Sequence, residues 1–156
     1  MAAKQRLEKY LREEGVSFET IAHSVAYTAQ EVAAEQHTPG RQLAKVAMVD
    51  ADGEMVMLVL PASYRIDFPK LKSALKAKKV RLAQEEEFVG VFTDCEVGAM
   101  PPFGNLYGLP VYADGSLSQA GDMVFKAGSH TTSFKMKYVD YERLVKPKVI
   151  DFAVHL

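Results

Sequence analysis

The sequence has very little cysteine and no long hydrophobic run. Cys95 is the only cysteine among 156 residues, so a disulfide within the chain is excluded and a cytoplasmic location is expected. The longest apolar run, Met55 to Leu60, is far shorter than the ~20 residues that span a membrane. The N-terminal segment MAAKQRLEKYLREEG is charged throughout and lacks the apolar core of a signal peptide.

Net charge and familiar catalytic motifs are also missing. The 19 basic and 20 acidic side chains leave a formal charge of −1. That balance argues against a protein that binds DNA or RNA by bulk electrostatics, but it does not exclude a local basic pocket for one nucleic-acid end. No His or Cys pair has metal-ligand spacing, and no Gly-x-Ser-x-Gly elbow, P-loop or dinucleotide fingerprint occurs. We therefore expect neither a metal nor a cofactor.

The length and the hydrophobic content, 48% of the residues, predict one domain with a sizeable core over residues 1–156. Its first element is an amphipathic helix over residues 2–14, followed by a strand over 16–22. A capping box formed by Thr28 and Glu31 predicts a second helix to about Gln36, which Pro39-Gly40 ends.

The middle of the chain carries a clear hairpin pattern. Two apolar runs, residues 43–49 and 54–60, flank the turn residues Asp50 to Gly53. Neither run has a polar face, so we place both strands centrally in a sheet that is covered on both sides. Asp67 then caps a helix that reaches about Lys78, and a short strand (80–83) and a helical turn (84–88) follow.

The second half predicts further short strands. Residues 109–113 and 116–117 flank Asp114-Gly115, which indicates a second hairpin. Strands over 123–127 and 131–136 follow, and Asp140 caps a last helix over 141–145. Because helices and strands do not alternate regularly, we predict an α+β fold: a mixed, mostly antiparallel sheet or partly closed barrel with flanking helices.

One loop, Gly98 to Gly104, is both stiff and apolar. Pro101 and Pro102 remove two successive backbone donors and fix two φ angles, while the flanking glycines permit positive φ or a close approach. Such a loop either turns a corner of the fold or presents main-chain groups to a ligand. Its candidate contact residues are Ala99, Met100, Pro101, Phe103 and Gly104.

Three side chains could carry chemistry. Lys45 lies inside an apolar strand. Its side chain either snorkels to the surface or places its ammonium group at a pocket that suits phosphate or carboxylate. His130 follows Gly128 and Ser129 between two strands, either as a turn histidine or as part of a polar pocket lip in which Gly128 and Ser129 are further candidate contact residues. Cys95 is a potential nucleophile with His130 as its base, but a lone cysteine near Phe92 and Val97 is more often a small buried hydrophobe.

Three motifs occur in order along the chain. They are Gln42-Leu43-Ala44-Lys45-Val46, Gly98-x-x-x-Pro102-Phe103-Gly104 and Ala127-Gly128-Ser129-His130. Together they resemble the YbaK family, the free-standing relatives of the editing domain inserted in bacterial prolyl-tRNA synthetase. The resemblance spans roughly residues 20–147.

The resemblance implies a trans-editing deacylase that hydrolyses the ester of a mischarged tRNA, usually tRNA for proline, carrying a small amino acid such as alanine or cysteine. It implies that Lys45 engages the tRNA acceptor end, that the loop from Gly98 to Pro102 lines the ester, and that His130 lies in the pocket. Prolyl-tRNA synthetase is the protein partner that it suggests, whereas no membrane or DNA is expected. Two alternatives stay open: a non-catalytic module that binds the acceptor end or a synthetase, and a hydrolase of small esters or thioesters.

Overall fold

The computed structural model describes residues 2–23 and 39–156. Its α-helices are α1 (Ala3–Glu13), α2 (Phe68–Leu75), α3 (Glu85–Phe88) and α4 (Tyr138–Val145), and 3-10 helices span Gly104–Tyr107 and Gly115–Ala120. Its strands are β1 (Glu19–Ala22), β2 (Ala44–Ala51), β3 (Glu54–Pro61), β4 (Tyr64–Ile66), β5 (Val80–Leu82), β6 (Val111–Asp114), β7 (Asp122–Ser129), β8 (Thr132–Lys137), β9 (Lys148–Ile150) and β10 (Ala153–His155).

Within the described residues the strands form three open sheets. The largest has the order β5-β2-β3-β6-β9, the second has the order β1-β8-β7, and β10 pairs with β4. All pairs are antiparallel except β3 with β6 and β6 with β9, which are parallel. The prediction of an α+β fold with mixed, mostly antiparallel sheets is confirmed, and no sheet in the described part of the chain closes into a barrel.

The β2–β3 hairpin forms the centre of the largest sheet, as its apolar sequence predicted. Ala44 pairs with Pro61 at one end and Ala51 with Glu54 at the turn. The side chains of Met48 and Met57 face the main core, which they share with the rings of β7 and β8. The opposite face packs against α2 through Leu71. Two buried faces explain why neither strand alternates between polar and apolar residues.

The second predicted hairpin is wrong. Strand β6 runs parallel to β3 and β9, and the chain after Asp114 enters a 3-10 helix instead of a returning strand. The reason is the buried Asp114 carboxylate, which accepts hydrogen bonds from the Ser116, Phe152 and Ala153 backbone amides at 3.0–3.1 Å. These bonds turn the chain away from β6 and dock the C-terminal segment beside it.

Several boundaries also differ from the predictions. Helix α4 begins at Tyr138 with Lys137 as its N-cap, and Asp140 lies in the first turn, where its negative charge favours the helix dipole. Helix α2 ends at Leu75, because Lys76 adopts a left-handed conformation with φ of 53°. The short strands β4, β9 and β10 were not predicted, and the helix predicted over residues 28–36 lies outside the described residues. In the described part of the chain, no helix is long and apolar enough to cross a membrane.

Helix α1 packs on β7 through a close contact at Gly128. Its Leu7 and Leu11 are buried in the main core, and its first turn lies directly against the Gly128 backbone. A Cβ atom built on Gly128 would lie 2.5 Å from the Ala3 Cβ atom, and Gly128 has a φ of +93°. Only glycine satisfies both conditions, so Gly128 serves the docking of α1 as well as the turn that follows.

Replacing Gly128 with alanine is expected to lower the free energy of unfolding by roughly 2–5 kcal/mol, the sum of overpacking and left-handed strain. Gly108→Ala is the matched control, because Gly108 has a φ of +70° and open space around it. It should lose only the strain contribution, about 1–2 kcal/mol. Adding Ala3→Gly to Gly128→Ala should restore part of the loss in a urea titration; no restoration would contradict the clash.

Candidate functional site

The Gly98–Gly104 loop is rigid because its own main chain and its neighbours hold it. Gly98 has a φ of +79°, in the left-handed region that favours glycine. The Ala99 amide donates to the Glu96 carbonyl at 3.0 Å, so this group is already occupied within the turn. At the other end, the fully buried Tyr141 hydroxyl donates to the Pro102 carbonyl at 2.7 Å. Helix α4 therefore fixes the proline end of the loop.

The loop is also tied to the end of β7, just before the turn into β8. The Glu96 amide donates to the Gly128 carbonyl at 2.8 Å, and the Gly128 amide donates to the Ala99 carbonyl at 2.9 Å. His130 follows this pair and is buried. The structure therefore brings together two motifs, around Gly98 and around Gly128, that are about thirty residues apart in the sequence.

His130 is held at three points. Its backbone amide donates to the Glu96 carboxylate at 2.9 Å. Its ring Nε2 lies 2.6 Å from the Val97 carbonyl oxygen, and its ring Nδ1 lies 2.9 Å from the Lys126 Nζ atom. A carbonyl can only accept, so the Nε2 nitrogen carries the proton and the lysine donates to Nδ1. In this arrangement His130 clamps the segment before Gly98, and its ring is committed on both nitrogens.

The apolar residues of the loop face inward. Met100 and Phe103 belong to the main core, where the Phe103 ring contacts the rings of Tyr10, Phe125 and Tyr141. Pro101 and Pro102 are buried as well.

Two further predicted contact residues have local structural roles. At Gly104 a Cβ atom would lie 2.6 Å from the Val111 side chain, so packing against β6 requires glycine there. The Ser129 hydroxyl contacts the Thr131 hydroxyl at 3.3 Å within the turn. The backbone of the loop, more than its side chains, is what this geometry offers to a ligand.

Lys45 lies on the other side of the β2 strand from the main core. Ala44 and Met48 face that core, so the intervening Lys45 points to the opposite face, and its Nζ atom lies 3.4 Å from the Ala62 carbonyl. The side chain is partly buried, and desolvation lowers the pKa of its ammonium group. An incoming anion would compensate for that loss of hydration, so the position suits phosphate or carboxylate binding.

A small apolar cluster connects the surroundings of Lys45 to those of His130. Ala62, next to the Lys45 ammonium, packs with Leu43 and with Val124 of β7. Val124 and Lys126 are two residues apart on one strand, so their side chains share a face. Lys45 and the Lys126–His130 pair therefore border the same surface of the molecule.

The face of the second sheet that carries Val124 and Lys126 also carries polar groups that the sequence did not predict. Ser133 of β8 is fully buried and lies between Ile21 and Lys126 in the strand register. The His23 ring contacts its hydroxyl, with 3.1 Å between Nε2 and Oγ. The signal for Lys126 was available, because this lysine interrupts an apolar strand just as Lys45 does. Glu96, Ser133 and Tyr141 gave no local signal.

Cys95 is not arranged as a nucleophile. Its sulfur lies 3.5 Å from the Tyr107 hydroxyl and 3.5 Å from an Asp94 carboxylate oxygen. Burial is the main cause that raises the pKa of its thiol to about 11. His130 is engaged elsewhere, so the structure does not form the cysteine–histidine pair that the sequence left open.

We expect Cys95→Ala to keep the activity of the protein within about twofold. In the native protein at pH 8, the raised pKa leaves only about a thousandth of the thiol as the reactive thiolate. Alkylation by iodoacetamide should therefore be at least tenfold slower than in the urea-unfolded chain, as followed by mass spectrometry. Equal alkylation rates in the two states would contradict the burial of this thiol.

Metal ligands do not cluster in this region. Across residues 2–23 and 39–156, no group of three or more His, Cys, Asp or Glu side chains is placed to hold an ion. The groups that the site does offer are two lysine ammonium groups, a clamped histidine and the main chain of a rigid loop. This combination suits the positioning of an anionic or ester-containing ligand.

Comparison with known proteins relates this site to a family. The family model described as "Aminoacyl-tRNA editing domain" matches residues 23–144. The chain is 30% identical over 153 residues to the multifunctional Ser/Thr-tRNA deacylase ProXp-y of Escherichia coli K12, which covers 95% of this chain and 91% of that protein. It is 34% identical over 126 residues to a proline–tRNA ligase of Solidesulfovibrio magneticus, covering 80% of this chain and 21% of the ligase.

Solved structures show the same fold. A crystal structure described as a candidate trans-editing enzyme for prolyl tRNA synthetase superposes with a TM-score of 0.82 at 20% identity, covering 99% of this chain and 98% of that one. A hypothetical protein gives a TM-score of 0.84, also at 20% identity, with 95% and 99% coverage.

Proposed function

Because this chain belongs to the aminoacyl-tRNA editing domain family, we propose that it is a trans-editing deacylase that removes a small amino acid from mischarged tRNA for proline. The bond that is broken is the ester between the amino acid and the 3′-terminal adenosine. Alanine and cysteine are the first candidates, and serine and threonine follow, since the Escherichia coli relative is named for those two. A prolyl-tRNA synthetase could supply the tRNA.

The observation that carries this proposal is the rigid loop held against the Gly128–His130 turn. An aminoacyl ester is already activated, so its hydrolysis needs a positioned water and donors for the oxyanion more than a protein nucleophile. The Ala99 amide is occupied, which leaves the amides of Gly98, Met100 and Phe103 as the candidate donors. A preorganised loop supplies such donors with little rearrangement during the reaction.

The proposed activation of water relies on the substrate. The His130 ring is bound on both sides, to the Val97 carbonyl and to Lys126, so it does not hold a water as a general base in this arrangement. Cys95 is equally unsuited. The 2′-hydroxyl of the terminal ribose lies next to the ester and can orient the attacking water.

Lys45 is the proposed anchor for the acceptor end. Its ammonium group is partly desolvated and emerges near the apolar Ala62–Val124 cluster, where a phosphate or ribose oxygen can meet it. A protein that binds only the acceptor end of the tRNA, through one lysine, needs few other phosphate contacts. This agrees with the nearly neutral charge of the whole chain.

The test is a panel of tRNAs for proline charged with alanine, cysteine, serine, threonine or proline. Each is incubated with the purified protein, and loss of the radiolabelled amino acid is measured. We expect rapid hydrolysis of one or two small amino acids and protection of proline. Binding without release would support the non-catalytic module instead. Turnover of small esters or thioesters without any need for tRNA would support the other alternative, a hydrolase of small esters or thioesters.

A further inference from the structure

We propose that Lys126 is a positioning residue of the deacylase, acting through the His130 ring to hold the Val97–Gly98 peptide in one orientation. This inference rests on the proposed function, because the group it orients is the Gly98 amide, one of the candidate oxyanion donors. Lys126 itself need not touch the substrate.

The position of Lys126 in the sheet directs its side chain at His130. It lies in β7 opposite Ser133 of β8, and both side chains lie on the face away from the main core. A register irregularity between Lys126 and Ser129 turns the end of the strand. His130, four residues later, consequently lies within hydrogen-bond distance of the lysine.

The chemistry of the contact sets the protonation of the ring. An ammonium group has donors and no acceptor, so it requires a lone pair on His130 Nδ1. The single proton of the neutral ring is then on Nε2, which faces the Val97 carbonyl oxygen at 2.6 Å. Without Lys126, the tautomer with the proton on Nδ1 becomes accessible. In that tautomer two acceptors, Nε2 and the carbonyl, would face each other.

The Val97 carbonyl and the Gly98 amide belong to one planar trans peptide unit. The carbonyl oxygen and the amide hydrogen of such a unit point in opposite directions, so fixing one fixes the other. Holding the Val97 oxygen against His130 therefore directs the Gly98 N–H away from the histidine. The clamp matters here because glycine tolerates both signs of φ and resists a peptide flip less than other residues.

A second contact secures the same segment. The Glu96 carboxylate accepts the His130 backbone amide at 2.9 Å, and the Glu96 amide reaches the Gly128 carbonyl. These bonds fix the position of residues 96 and 130 relative to each other. They do not set the rotation of the Val97–Gly98 peptide, which is the function left for the ring and Lys126.

The experiment is a double-mutant cycle on hydrolysis of the best mischarged tRNA from the panel. Lys126→Met should lower kcat about 10- to 100-fold with little change in KM, because a donor misplaced by ~1 Å loses up to about this much catalysis. Lys126→Arg keeps a donor and should recover most of kcat. Lys135→Met, on the neighbouring strand, is the matched control and should behave like the wild type.

The second arm uses His130→Gln, whose amide can donate to the Val97 carbonyl without choosing a tautomer. In that background Lys126→Met should have no further effect. An equal loss of kcat in both backgrounds, or a loss that falls on KM, would overturn the positioning role.

A third measurement does not depend on turnover. The Gly98 amide resonance should shift in Lys126→Met but not in Lys135→Met. An unchanged Gly98 amide would overturn the proposal even if the chain hydrolysed no tRNA. A changed amide with no hydrolysis of any panel member by the wild type would support the clamp and overturn the deacylase function instead.

Discussion

Lys45→Ala is expected to reduce kcat/KM for the mischarged tRNA by roughly 10- to 150-fold, with the fold intact. Hydrogen bonds to charged groups contribute about 1.5–3 kcal/mol, which corresponds to this range. The side chain lies on the face of β2 away from the main core, and its ammonium contacts only a carbonyl at 3.4 Å among the described residues. Its removal therefore leaves little unsatisfied in the free protein.

The kinetics of this variant distinguish binding from chemistry. An anchor for the acceptor end is used in the ground state and in the transition state alike, so KM should rise more than kcat falls. Lys45→Arg should retain part of the activity, because the charge remains but its planar geometry differs. Lys9→Ala, an exposed lysine of α1, is the control for a general loss of positive charge. Wild-type kinetics for Lys45→Ala would remove this residue from the mechanism.

The central hairpin could be predicted because its information is local. The run from Asp50 to Gly53 forms a turn whose Gly53 amide donates to the Asp50 carboxylate at 2.8 Å. The apolar runs on either side of this turn identify the two strands without any residue from elsewhere in the chain. The turn at Asp114-Gly115 has the same residue types and forms no hairpin. Its aspartate binds the amides of Phe152 and Ala153, residues far along the chain whose approach no local pattern reveals.

The candidate site divides in the same way. Lys45, Gly98 and His130 belong to short motifs with unusual residue types, so they could be selected from the sequence. Their supporting residues could not. In the sequence, Glu96 has the pattern of a surface residue and Tyr141 that of a helix aromatic. Their roles come from tertiary hydrogen bonds, in which the Glu96 carboxylate accepts from the His130 amide and the Tyr141 hydroxyl donates to the Pro102 carbonyl. The loop was predicted to be stiff because of its prolines, and these tertiary hydrogen bonds add to that stiffness.

Gly98→Ala is the second substitution with a large expected effect. The alanine Cβ atom would lie 3.6 Å from His130 Cε1, an ordinary contact, so space is not the obstacle. The obstacle is the φ of +79°, because a non-glycine residue with this φ costs about 1–2 kcal/mol and pulls the peptide toward negative φ. We expect kcat to fall about 100-fold, because the backbone amide of residue 98 no longer points in its original direction. Gly108→Ala carries the same strain outside the loop and should keep full activity.

The sharpest test removes the Gly98 N–H alone. Cys95 precedes Gly98 by three residues, so a synthetic segment 95–156 with an ester in place of the Val97–Gly98 amide can be joined to residues 1–94 by ligation at this cysteine. The ester keeps the Val97 carbonyl for His130 and adds no side chain. Loss of an oxyanion donor should lower kcat about 100- to 1000-fold at nearly constant KM. The all-amide protein made by the same ligation is the control, and equal kcat in the two would assign the oxyanion to the Met100 or Phe103 amide.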